Sequence, residues 1–179
     1  MWRYVVSAWA HCAIPRRICH KRASWSGPQS ASLVVRASSK LTADANVLSA
    51  LMQATPAKPV VDWLDRQPAD AVWLTSITVF EARFGLGLLP RGRRRDALEA
   101  AFERFVAGDL AGRVADLDIA AATAAAALVA RRRTAGRPVD LRDTLIAGIA
   151  VARRARLATR NLRDFYDLGV ELVNPWDGA

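Results

Sequence analysis

The chain has 179 residues, 52% hydrophobic and 24% charged, with a formal net charge of +9. That length and apolar content fit one compact domain of roughly 100–200 residues and exclude a chain disordered throughout. A transmembrane helix is excluded by the lack of about 18 uninterrupted apolar residues, and two cysteines cannot build a disulfide scaffold; a cytoplasmic setting is expected, with no membrane role.

Residues 1–40 hold seven basic residues and no acid, so the remaining 139 residues carry 19 basic against 17 acidic side chains, a net of +2. The basic character belongs mainly to this first segment. It lacks helical or strand periodicity and carries Pro15, Gly27, Pro28 and seven serines. Its Arg- and Ser-rich, acid-free composition fits a transit peptide, a phosphate-binding arm, or a disordered extension arising from an early start codon. The last is expected. His11, Cys12, Cys19 and His20 are metal-capable, but adjacent His-Cys and Cys-His pairs are not the spacing that lets two ligands converge on one zinc ion.

From Leu41 onward, short apolar stretches alternate with helical periods. Ser38 to Ala43 is a poor strand by composition. Residues 47–54 and 59–66 read as helices, the second with Pro59 in its first turn. Residues 71–74 are a strand candidate, followed by helices at 78–88 and 93–107; the latter carries Ala97, Leu98, Ala101, Phe102 and Phe105 on one stripe. Residues 113–117 suggest a strand. Residues 118–135 form a long Ala-rich helix, stopped by Gly136 and Pro138. Residues 142–153 should be a buried helix, with closing strands at 156–159 and 171–173. Short strands separated by helices require crossover connections, hence an α/β domain with a mostly parallel sheet covered on its faces.

In such sheets, chemistry gathers where strands end and helices begin. Four acids fall at such junctions: Asp44, Glu81, Asp143 and Asp164. Both histidines lie in the first segment, and the body has no cysteine, no GxSxG elbow and no P-loop. Serine–histidine, cysteine–histidine and P-loop mechanisms therefore lack their parts. Carboxylates without histidine suit a hard ion such as Mg²⁺ or Mn²⁺, which takes oxygen ligands and acts on phosphodiesters. Each acid taken singly also reads as a helix cap. Thr78-x-x-Glu81 matches a capping box, Asp140 suits the cap before Asp143, and Asn161 precedes Asp164 by three. Four at once favour a shared site.

The stretches Asp44-Ala45-Asn46-Val47-Leu48-Ser49, Thr75-Ser76-Ile77-Thr78-Val79-Phe80-Glu81, Leu89-Pro90-Arg91-Gly92-Arg93-Arg94-Arg95, Gly136-Arg137-Pro138, Asp143-Thr144-Leu145-Ile146-Ala147, Thr159-Arg160-Asn161-Leu162-Arg163-Asp164-Phe165 and Val173-Asn174-Pro175-Trp176 follow one another in a telling order. Together they resemble the PIN-domain ribonucleases, specifically the VapC toxins of VapBC toxin–antitoxin modules, over about residues 41–177. The resemblance implies a three-layer α/β/α domain over 41–179. It also implies an Mg²⁺- or Mn²⁺-dependent endoribonuclease acting on structured RNA such as tRNA or rRNA, silenced by a cognate antitoxin and forming a homodimer. The family's acidic quartet falls on Asp44, Glu81, Asp143 and Asp164, as metal ligands and catalytic groups. Its supporting polar residues fall on Asn46, Thr159 and Asn161.

Two departures accompany the match. Ala45 stands where the family usually carries a hydroxyl residue, and the first strand is preceded by some 40 unusual residues. They keep open a second reading, a PIN-like module that binds RNA or an antitoxin without cleavage. The same acids would also serve a DNA nuclease. For RNA binding the candidates are Arg131, Arg132 and Arg133, whose competing role is a solvated helix end. Trp63, Trp73 and Trp176 are expected in the core rather than on bases. The segment 63–105 is the candidate surface for an antitoxin or a second copy of the chain.

Overall fold

The computed structural model describes residues 40–177 apart from 54, 69 and 111. The expectations for the first 39 residues, including His11, Cys12, Cys19 and His20, lie outside the described residues. In chain order the elements are β1 (Leu41–Ala43), α1 (Ala45–Leu51), α2 (Lys58–Asp65), β2 (Val72–Thr75), α3 (Ser76–Gly87) and α4 (Arg93–Arg104). A wide turn (Phe105–Asp109) then leads to β3 (Val114–Ala115), α5 (Ile119–Thr134), α6 (Leu141–Ala152), β4 (Arg156–Ala158), α7 (Leu162–Phe165) and β5 (Leu172–Val173).

The five strands form one sheet in the order β3-β2-β1-β4-β5, and every neighbouring pair is parallel. The unpromising first strand turns out to be its centre. Leu41, Thr42 and Ala43 pair with Val72, Trp73 and Leu74 on one side and with Arg156, Leu157 and Ala158 on the other. Composition undersold it because it is three residues long and its middle residue is polar. Thr42 is 1% exposed, and its hydroxyl is satisfied by donating to the Arg156 carbonyl at 3.2 Å.

Side-chain alternation along the strands divides the core in two. Leu41, Ala43, Leu74 and Ala158 pack against α1–α4 through Val47, Leu48, Val60, Leu86 and Phe102. The opposite face, carrying Trp73, Leu157 and Ala115, packs against α5, α6 and α7 through Leu128, Ile146, Ile149 and Phe165. The result is the expected α/β/α sandwich. Trp63, Trp73 and Trp176 all pack against these clusters, as anticipated. Tight packing of α5 on α6 depends on Gly148, where a Cβ would meet the Ala121 carbonyl oxygen at 2.7 Å and the Ala125 Cβ at 2.6 Å. No helix among the described residues is long and apolar enough to cross a membrane.

Helix boundaries differ from the expected ones by one to three residues, and one difference has a chemical meaning. Helix α3 starts at Ser76 because Thr75, not Thr78, is its cap, its hydroxyl accepting from the Thr78 amide at 2.9 Å. Glu81 therefore lies a turn deeper than a capping-box acid. It makes no reciprocal cap and is free for another task.

Candidate active site

The carboxyl ends of β1, β2 and β4 open on one edge of the sheet, and Asp44 and Thr159 follow directly from β1 and β4. Asp44 succeeds β1, caps α1 and is 4% exposed. Its Oδ1 accepts from the Ala45 amide at 2.6 Å. Its Oδ2 accepts from Asn46 Nδ2 at 3.0 Å and from the Thr159 hydroxyl at 2.9 Å. Thr159 follows β4 and is wholly buried. Its oxygen also accepts from the Asn161 amide at 3.0 Å, and Asn161 Nδ2 reaches Asp164 Oδ2 at 2.5 Å. A continuous run of hydrogen bonds thus joins Asp44 to Asp164 through Thr159 and Asn161. All three polar residues named from the sequence stand on that run or beside it.

The other two acids come from helices. Glu81 is carried by α3, with its side chain 12% exposed and Arg142 Nη1 3.6 Å away. Asp143 sits in the first turn of α6, behind Asp140, which caps the helix by accepting from the Arg142 and Asp143 amides. Asp140 is the cap expected of it.

Burial and neighbouring charge act on these groups together. Burial pushes the Asp44 carboxyl up, against the pull of its bonds from Thr159, Ala45 and Asn46. Burial, then the charge of Asp44, raises Glu81 to about 7, with Arg142 opposing. Asp143 also rises to about 7 through burial and the charges of Asp140, Asp44, Asp164 and Glu81. Desolvation and like charge act in the same direction on both.

An all-oxygen donor set with an uncompensated negative field fits a hard divalent cation. The carboxylates are not drawn into a closed cage. Among the described residues no three His, Cys, Asp or Glu side chains form a ready ligating group. Like charges repel one another in this way.

Three residues missed in the sequence help to build this edge. Thr78, wholly buried, donates to the Ala43 carbonyl at 3.2 Å and shares a 2.9 Å contact with the Thr75 hydroxyl, locking α3 to the end of β1. Ser76 Oγ accepts from the Leu117 amide at 3.1 Å, fastening the segment after β3. Arg142 supplies the positive charge beside Glu81 and Asp140, at 3.6 Å from each. The repeated hydroxyls of Thr75-Ser76-Ile77-Thr78 were the available signal for the first two.

The arginine run 131–133 needs correction. Arg131 and Arg133 are exposed, but Arg132 is 6% exposed and cannot offer its guanidinium to a nucleic acid. The helical period places it below Ala121, Ala125 and Leu128 on the inward face of α5, where it pairs with Asp167 at 2.5 Å.

The PIN domain family signature matches residues 42–171. VapC ribonuclease Y4jK of Sinorhizobium fredii is 39% identical over 136 residues, spanning 76% of this chain and 97% of the relative. Toxin FitB of Neisseria gonorrhoeae is 32% identical over 133 residues, spanning 74% and 96%. The crystal structure of FitAcB from Neisseria gonorrhoeae superposes with a TM-score of 0.68 at 32% identity, covering 76% of this chain and 98% of that one. With its parallel five-stranded sheet and these matches, the chain belongs to the PIN-domain family and, within it, to the VapC group.

Proposed function

We propose that this protein is a toxin-type endoribonuclease dependent on Mg²⁺ or Mn²⁺, acting on structured RNA and restrained by a cognate antitoxin. One observation supports it most: Asp143, which feels the charges of Asp44, Glu81 and Asp164 together. That mutual field supports reading the four as one site. A relative named a ribonuclease and another named a toxin support the activity and its biological setting.

Asp44, Glu81, Asp143 and Asp164 would hold the cation. When bound, it would supply an activated water and neutralise charge developing on the scissile phosphate. The chain's own residues prepare the ground. The Ala45 amide on one oxygen, and Asn46 and Thr159 on the other, fix Asp44 in one rotamer. Asn161 does the same for Asp164. Glu81 and Asp143, each titrating at about 7, are only partly ionised at neutral pH, and a bound cation would favour their charged forms. Exposed Arg131 and Arg133 lie on α5 and suit contacts to RNA phosphates.

The antitoxin surface follows α3. Phe80, Phe84 and Leu88 are 56%, 45% and 52% exposed at successive helical turns, and the two phenyl rings stack at 6.1 Å. An apolar helix stripe of this kind suits an amphipathic partner segment, or a second copy in a homodimer.

The test is incubation of the purified protein with tRNA, rRNA fragments and DNA in Mn²⁺ or Mg²⁺, with EDTA and Asp143→Asn as controls. RNA cleavage should appear only with the metal and only in wild type. Cleavage that survives EDTA or the substitution refutes the mechanism; RNA binding without any cleavage favours the non-cutting module.

A further inference from the structure

Asp164 rides on α7, a helix of four residues. So short a helix has no stability of its own, because helix nucleation costs more than one turn returns. Phe165 and Leu168 anchor it in the core, both fully buried. Apolar anchors of that kind hold a segment down but leave its rotation and axial position loosely set. A polar device beside them sets both.

Arg132 reaches from α5 into this region with its charge buried. Its Nε and Nη2 donate to Asp167 Oδ1 at 3.1 and 2.5 Å. The same Nη2 donates to the backbone carbonyl of Asp164 itself, and Nη1 reaches the Pro138 carbonyl at 3.5 Å. Pro138 lies two residues before Asp140, the cap of the helix whose first turn bears Asp143. Arg137 closes the other side, its Nη1 donating to Asp167 Oδ2 at 2.9 Å and to the Tyr166 hydroxyl at 2.8 Å. Arg131 adds a bond to the Asp167 carbonyl at 2.5 Å. These bonds hold the Asp167 carboxyl below the usual carboxylate range, with Arg132 the largest cause.

We propose that Arg132 and Asp167 are positioning residues of the active site, a clasp that sets Asp164 relative to Asp143 by tying α7 to the turn before α6. Only a planar guanidinium with donors in several directions spans the three segments; a lysine ammonium does not. Buried ion pairs seldom add stability over apolar packing, which agrees with a role in placement. The inference rests on the reading of the four acids as a cation site.

Mn²⁺ affinity measured by calorimetry on the full chain, beside kcat and KM for RNA cleavage, tests it. Asp167→Asn keeps shape and an acceptor for Arg132, and Arg132→Lys keeps charge. Both should retain cooperative thermal unfolding yet bind Mn²⁺ about 10-fold more weakly, the size typical of groups that orient metal ligands. Arg132→Met should restore packing without restoring affinity. In an Asp164→Asn background, adding Asp167→Asn should change Mn²⁺ affinity no further, because residues acting through one another are not additive. Unchanged affinity in folded Asp167→Asn, or the same loss repeated in the Asp164→Asn background, overturns the clasp alone. Wild type that neither binds Mn²⁺ nor cuts RNA overturns the site reading and the clasp with it.

Discussion

Replacing Asp143 by Asn should make the metal-free protein more stable while ending its activity. Asp143 titrates at about 7 in the folded protein, against 3.8 for the free side chain. A folded-state pKa raised above the unfolded value contributes stability that is present below about pH 4 and is lost as pH rises through about 7. At roughly 1.36 kcal/mol per pH unit, the ionised group then costs about 4 kcal/mol at pH 8 as a ceiling. Partial solvent access lowers this, and the lost favourable contact of a first-turn acid with the α6 dipole takes back about 0.3–1 kcal/mol. A net gain of about 2 kcal/mol remains for the Asn variant at pH 8, or on the order of 5 °C in melting temperature. The gain should vanish near pH 4, where the wild-type carboxyl is protonated. Thermal melts in EDTA from pH 4 to 8 measure it. Saturating Mn²⁺ should reverse the order, since a cation at 100 times its Kd adds about 2.7 kcal/mol to wild type alone. A variant no more stable than wild type at pH 8 in EDTA, or one stabilised equally by Mn²⁺, refutes the idea of a shared, uncompensated charge.

Other consequences are open to direct measurement. Thr159→Val removes one of two donors to Asp44 Oδ2 and should weaken Mn²⁺ binding about 10-fold by calorimetry. Gly148→Ala should lower stability by about 1–3 kcal/mol in denaturant titrations, because the new methyl meets α5 backbone rather than a flexible side chain. Replacing Arg131 and Arg133 together should reduce the salt dependence of RNA affinity by about two phosphates' worth, whereas RNA affinity unaffected at every salt concentration would remove them from the interface.

Much of this architecture is readable in the chain because parallel sheets put helix starts at strand ends. Asp44 and Asp164 stand out from the sequence for that reason, whereas Glu81 lies a turn inside α3 and Asp143 opens α6, which follows α5 rather than a strand. What escapes is local and has local causes. The central strand hides because three residues give no periodicity, and a satisfied Thr42 looks polar in the letters alone. The start of α3 is misread because threonines at 75 and 78 offer two equivalent caps three residues apart, and only the bond to Thr75 decides. Arg132 is misread because a run of three arginines suggests a wet surface. Yet positions 121, 125, 128 and 132 keep the helical spacing that turns the last one inward with the others. The ion pair that makes this tolerable comes from Asp167, 35 residues away, and no window of sequence contains both partners.

The placement of β4 bears on how the protein is made. The central strand is the first of the five to be synthesised, yet one of its two neighbours is Arg156–Ala158, the fourth. A growing chain on the ribosome lacks that neighbour, together with Thr159 and Asp164, until residues 156–164 have been translated. Products terminated before residue 156 should accordingly lack the completed sheet and be harmless to the cell that makes them.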